Sequence, residues 1–288
     1  MSSTRRGFLK STAVAAACGA LAPKSVLGAE KWPMRLSASS IMFSRLPVEK
    51  ACGKLAELGF EAVDIWSPHA QCPHLDEVAT RLGPDGLKEL LTRLSLKLYA
   101  FSVYAGGYPK YAELLGKSGG GVAIRGSSGP CKPEELIPKM KAFLEALKPE
   151  AELAEKHSSY LAIENHGDSL LDSLDSFKAF VDLNKHPRVG LALAPYHIQA
   201  RRQSVEEAIT TSGKQLLFFY AWQNAPDTGQ LPGIGPTDCA PWIAALAKVG
   251  YSWYVNPFMH GEPEPEQAAA ALAKSRAYLK ECYAKTVH

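Results

Sequence analysis

Short apolar runs alternate along this chain with longer stretches in which apolar residues recur every three or four positions, and that alternation limits the possible folds more than any other feature. Residues 34–39 (MRLSAS) read as a first strand. Pro47 stands where a helical turn begins, apolar residues follow at Val48, Ala51, Cys52, Leu55 and Leu58, and Gly59 closes the helix. Residues 62–66 (AVDIW) form a second strand leading into a loop with His69 and His74. A helix over residues 84–94 and a strand over residues 96–103 (LKLYAFSV) repeat the unit. The sequence further predicts a short helix at 108–115, strands at 121–125, 160–163, 189–193, 216–222 and 254–258, a long helix at 134–157 broken at Pro149, and helices at 173–184 and 264–285. Strand alternating with helix, with no dividing linker, predicts a parallel sheet with crossover helices.

The stretch that points to chemistry is residues 160–166 (YLAIENH). Its four apolar residues are too few for a helix and read as a buried parallel strand, with Glu164, Asn165 and His166 at its C-terminal end. In parallel α/β folds the loops at that end converge on one face, which is where reactive groups collect. A loop or capping role for Glu164 is the plainer alternative. The glycines and serines of residues 126–130 precede no Gly-Lys-Ser/Thr and read as loop residues rather than a phosphate cradle.

The N-terminus has a separate logic. Thr4, Arg5, Arg6, Gly7, Phe8, Leu9 and Lys10 precede a modest apolar run, a pattern that resembles a twin-arginine (Tat) export signal. Residues 1–29 are therefore expected to be removed and residues 30–288 to form the folded domain, in the periplasm or another extracytoplasmic space, with a lipid anchor at Cys18 as a lesser alternative. The chain carries a formal charge of +3, but Arg5, Arg6, Lys10 and Lys24 all lie in the signal, which has no acid, so the mature charge is −1. That removes the electrostatic case for a nucleic-acid partner. No run reaches the apolar length of a membrane span. Cys52, Cys72, Cys131, Cys239 and Cys282 remain, none in a Cys-x-x-Cys pair, so neither a structural zinc site nor a dense disulfide framework is expected, although a single bridge stays open.

The sixth strand ends in Ala194-Pro195-Tyr196-His197, residues 231–235 read LPGIG, and Gly250-Tyr251 precedes the eighth strand. With Glu164-Asn165-His166, these resemble the xylose isomerase-like TIM barrels, a superfamily of sugar isomerases and epimerases that also includes endonuclease IV. The resemblance covers nearly the whole mature chain. It implies a single (β/α)8 barrel, a small sugar or polyol as ligand, and a divalent ion such as Mn or Mg held by two Glu, one Asp and one His. At those four positions the chain has Glu164, Ala194, Tyr220 and Asn256. One carboxylate is a poor site for a hard cation, so no cofactor is expected and Glu164 is at most one ligand of an incomplete site. A rearranged site of Glu164, His166, His197 and His260 is the alternative.

Two function classes follow. One is an exported sugar isomerase or epimerase working by proton transfer, with Glu164, His166 and His197 as catalytic groups and Asn165, Tyr220, Trp222, Asn256 and His260 binding the substrate. The other is a carbohydrate-binding barrel without catalysis. They differ in whether Glu164 meets a second proton-transferring side chain at the cleft floor. For export, replacing Arg5 and Arg6 together by Lys should hold the precursor in the cytoplasm, as cell fractionation would show; normal export of that double variant would contradict the signal assignment.

Overall fold

The computed structural model describes residues 32–287; the signal sequence and Cys18 lie outside the described residues. The strands are β1 (Arg35–Ser39), β2 (Ala62–Trp66), β3 (Lys97–Ser102), β4 (Gly121–Gly126), β5 (Ser159–Glu164), β6 (Val189–Leu193), β7 (Leu216–Ala221) and β8 (Tyr254–Pro257). They pair in parallel in sequence order, and β8 returns to β1 through Arg35 opposite Tyr254 and Leu36 opposite Val255, which closes a (β/α)8 barrel. Burial explains the near-unbroken apolar runs: a strand inside a ring of helices has no solvent face.

Helices cross between the strands. The expected break at Pro149 is real but falls at Leu147, between helices Leu136–Ala146 and Lys148–Lys156, so that proline occupies the first turn of the second helix, where its missing N–H is no loss. Helices Val205–Ser212 and Ala240–Lys248 fill intervals for which no element was predicted. Of the two histidines placed in a loop, His74 instead opens the short helix His74–Glu77 and is fully buried, with Nε2 2.8 Å from the Leu46 carbonyl and Nδ1 3.2 Å from Cys72 Sγ. All five described cysteines are free. No helix among the described residues is long and apolar enough to cross a membrane.

Two register shifts decide what the barrel interior contains. Val63 lies opposite Leu98 but Asp64 opposite Ala100, so Tyr99 is an extra residue in β3; Asp64 and Trp66 then align with Ala100 and Ser102. Tyr99 stacks on Phe218 at 4.7 Å and shares a hydrogen bond with the Tyr251 hydroxyl at 3.0 Å. Likewise Leu217 is extra in β7, which sets Phe218 opposite Ala192 and leaves Phe218 and Tyr220 on one face. The second shift requires glycine next door: a Cβ on Gly190 would sit 2.3 Å from the Gln215 carbonyl oxygen and 2.7 Å from Leu217 Cγ. Aromatic rings thus occupy one layer of the interior, and a polar layer lies beside them toward the strand C-termini.

Candidate active site

The polar layer is built from strand residues that the alternation of strand side chains turns inward. Asp64, in the middle of β2, is fully buried. Its Oδ2 accepts from Ser39 Oγ at 2.7 Å and Trp66 Nε1 at 2.6 Å, and Ser102 Oγ lies 3.0 Å from each of its oxygens. Asn256 donates to Ser39 Oγ at 2.9 Å and accepts from Ser37 Oγ at 3.1 Å. Ser102 is 3.4 Å from the Tyr220 hydroxyl, which is 3.2 Å from that of Tyr104, just beyond β3. Tyr104 donates to Glu164 Oε2 at 2.7 Å.

Glu164 ends β5 and is buried, with 8% of the residue exposed. Burial pushes its pKa up to about 7 against the lowering by the Tyr104 hydroxyl and the His260 charge, with Asp64 adding to the rise. Asp64 is pushed up to about 6, again by burial and against its hydrogen bonds from Ser39, Ser102 and Trp66. Burial also holds the Tyr104 and Tyr220 phenols well above their ordinary range, so both are neutral donors at neutral pH.

Aromatic rings cluster at the opening of the barrel, at the strand C-termini. Trp66 stacks on Phe258 at 5.3 Å and meets Tyr104 at 5.0 Å, Phe258 meets Tyr220 at 4.9 Å, and Trp222 meets Phe258 at 5.2 Å. His197 is buried with its ring 4.1 Å from that of the exposed His166 and 5.3 Å from Trp222. Burial, helped by the charges of His166 and His260, pushes the His197 pKa down to about 3, so it is a neutral imidazole, and its buried Nε2 has no hydrogen-bond partner. His260 meets the edges of Trp222 and Phe258 and pairs with Glu262 at 3.3 Å.

The sequence-predicted residues thus separate into two groups. Glu164, His166, His197, Trp222 and His260 lie around the opening. Asn165 and Asn256 do not: both are fully buried. Asn165 donates to the Ala194 carbonyl at 3.1 Å and accepts from its N–H at 2.7 Å, pinning the end of β5 to that of β6, while Asn256 is engaged by Ser37 and Ser39. In the structure both side chains hold neighbouring strands together. Tyr220, 1% exposed, reaches the first group through Tyr104 and Phe258. Asp64, Tyr104, Ser39, Ser102, Trp66 and Phe258 were not anticipated. An ionisable residue inside the apolar run AVDIW was the available signal, because buried carboxyls are rare and always partnered.

A divalent ion does not fit these side chains. Ala194 has no side-chain ligand atom, the Tyr220 hydroxyl is engaged with Tyr104 and Ser102, and the Asn256 carbonyl oxygen accepts from Ser37, which leaves Glu164 as the one carboxylate among the four positions. No group of three or more His, Cys, Asp or Glu among the described residues is placed to hold a metal.

Comparison with known proteins agrees with this architecture. The family described as "Xylose isomerase-like TIM barrel" matches residues 52–282. The fold is similar to 3-keto-D-glucoside 4-epimerase from E. coli (TM-score 0.67, 14% identity, covering 85% of this chain and 100% of that one). It is similar also to the IolI protein with a bound zinc atom (TM-score 0.68, 16% identity, 88% and 99%). A third similar structure is D-psicose 3-epimerase with D-tagatose from Clostridium cellulolyticum H10 (TM-score 0.65, 18% identity, 85% and 99%). No curated protein sequence matches.

Because Glu164 binds a proton more tightly folded than unfolded, the folded state holds more protons between its ordinary value of 4.5 and about 7, and its contribution to stability falls as pH rises through that window. His197 has the opposite slope between about 3 and 6.5, where stability falls as pH drops. Glu164→Gln should therefore raise unfolding stability at pH 8 by roughly 1–3 kcal/mol and much less at pH 5. Urea unfolding at both pH values checks this, and an equal effect at the two would contradict the raised pKa.

Proposed function

Since the chain belongs to the xylose isomerase-like TIM barrel family, we propose that it is a sugar isomerase or epimerase that moves a proton between carbons of a small sugar or polyol, with a degenerate divalent-metal site. The observation that carries this reading is the 2.7 Å hydrogen bond between Tyr104 and Glu164 at the cleft floor. A carboxyl with a pKa of about 7 is suited to taking and returning a proton near neutrality, and a neutral phenol beside it is suited to donating to a substrate oxygen as negative charge develops there. In this reading Glu164 is the base, Tyr104 the donor to the oxyanion, and His197, through its unpartnered Nε2, the polar contact across the opening. Trp222 offers an apolar surface to the C–H face of a sugar, with Phe258 and Trp66 packed behind it, and His166 and His260 border the entrance. The same reading includes export by the twin-arginine route to an extracytoplasmic space.

The carbohydrate-binding alternative draws support from the burial of Glu164, which limits how closely a ligand carbon can approach it. Proton exchange separates the two. Incubated in D2O with a panel of ketoses that includes D-tagatose, the wild type should incorporate deuterium beside the carbonyl, followed by proton NMR, and Glu164→Gln should slow this by about 10²–10⁴-fold. Saturable sugar binding with no exchange on any member of the panel would favour the non-catalytic barrel instead.

A further inference from the structure

Three hydroxyls in series join Glu164 to Asp64: Tyr104, Tyr220 and Ser102, with the steps at 2.7, 3.2, 3.4 and 3.0 Å. Each hydroxyl has one proton to donate, so the chain can point in only two directions. When Tyr104 donates to Glu164, Tyr220 donates to Tyr104 and Ser102 to Tyr220; Ser102 must then accept from Asp64, which requires Asp64 to be protonated. When the chain is reversed, Glu164 carries the proton and donates to Tyr104, and Ser102 donates to the Asp64 carboxylate. A fully bonded chain therefore holds one acidic proton, at one end or the other.

The surroundings fix which Asp64 oxygen takes part. Oδ2 accepts from Trp66 Nε1, which can only donate, and from Ser39 Oγ, which itself accepts from Asn256. Ser102 Oγ lies 3.0 Å from both oxygens, and among the described residues it is the one hydrogen-bond partner of Oδ1, so Oδ1 is the oxygen free to carry the proton. We propose that Asp64 is a positioning residue for the proton on Glu164, sharing one proton with it through Ser102, Tyr220 and Tyr104. In the transfer, Asp64 Oδ1 gives its proton to Ser102 as Ser102 gives its own to Tyr220, Tyr220 to Tyr104, and Tyr104 to Glu164. Only O–H bonds are exchanged, and the net charge of the barrel interior does not change.

This device deepens the isomerase reading and rests on it for its catalytic meaning: Glu164 meets a ligand as a base when Asp64 holds the proton and as an acid when it does not, as a reversible isomerisation requires in its two directions. Besides Asp64, the groups facing Glu164 are Tyr104, Tyr220 and His260. Those facing Asp64 include Tyr99, Tyr220 and Cys72, whose phenols and thiol burial keeps neutral.

The test needs no substrate. In the full-length unliganded protein with carboxyl-¹³C-labelled Glu and Asp, NMR titration follows Glu164, identified by its loss in Glu164→Gln. In Asp64→Asn the amide oxygen must take the Ser39 and Trp66 side, which turns the NH2 toward Ser102 and locks every donor toward Glu164. Its proton affinity should then fall by about tenfold or more. In backgrounds that remove one hydroxyl, Tyr220→Phe or Ser102→Ala, the same Asp64→Asn change should shift Glu164 by less than about threefold. An unmoved Glu164 in Asp64→Asn overturns the proposal, as does a shift of full size in both cut backgrounds, which would show charge acting through space. If Asp64→Asn does not fold, Tyr220→Phe and Ser102→Ala alone serve: each should alter the Glu164 titration curve, and curves superimposable on wild type overturn the shared proton. The outcome is separate from that of the exchange assay, which can fail while this titration succeeds.

Discussion

Two carboxyl groups, Asp64 and Glu164, are buried inside this barrel, and much of the site's construction answers that constraint. An isolated carboxylate in a low-dielectric interior costs several kcal/mol, and the cost falls if the group is protonated or surrounded by donors. Here both happen. Ser39 and Trp66 donate to Asp64, Ser102 lies 3.0 Å from each of its oxygens, one phenol donates to Glu164, and burial raises both pKa values toward neutrality. The interior is thereby left with carboxyls that change protonation near neutral pH, which is the property a proton-transfer site needs and a metal ligand does not.

The position of these groups follows from strand register. Without the extra residue Tyr99 in β3, Ser102 would turn away from Asp64, because a one-residue slip flips every later side chain to the other face. The extra Leu217 does the same for Tyr220, and Gly190 is the position where the neighbouring strand makes room for it. Asn165 and Asn256 then fasten strand ends: the first ties β5 to β6, the second ties β8 to β1. Residues that the sequence suggested for binding a ligand therefore hold in place the side chains that can reach one.

Much of this was legible in the chain. The strands 62–66 and 189–193 fall where their apolar runs lie, and the ends of β5 to β8 carry Glu164, Ala194, Tyr220 and Asn256 as the resemblance implied. The helices Val205–Ser212 and Ala240–Lys248 went unassigned although apolar residues recur at Val205, Ala208 and Ile209 and at Trp242, Ile243 and Leu246. Asp64 is marked only by its place inside an apolar run; its alignment with Ser102 depends on a bulge in β3, and an extra residue in a strand leaves no local mark on hydrophobic alternation. Tyr104 was hidden for a related reason: its meaning lies in the meeting of the β3 and β5 ends, which no spacing along the chain records.

The proposed function has Glu164 transferring protons in a barrel with a degenerate divalent-metal site. The superfamily position of Ala194 cannot be a ligand, and Tyr220 and Asn256 are engaged within the barrel. Calorimetric titration of the wild-type protein with Mn measures this most directly. The account predicts weak or absent binding, since affinity for a hard cation rises with the number of charged oxygen ligands. Tight one-to-one binding that disappears in Glu164→Ala would contradict it.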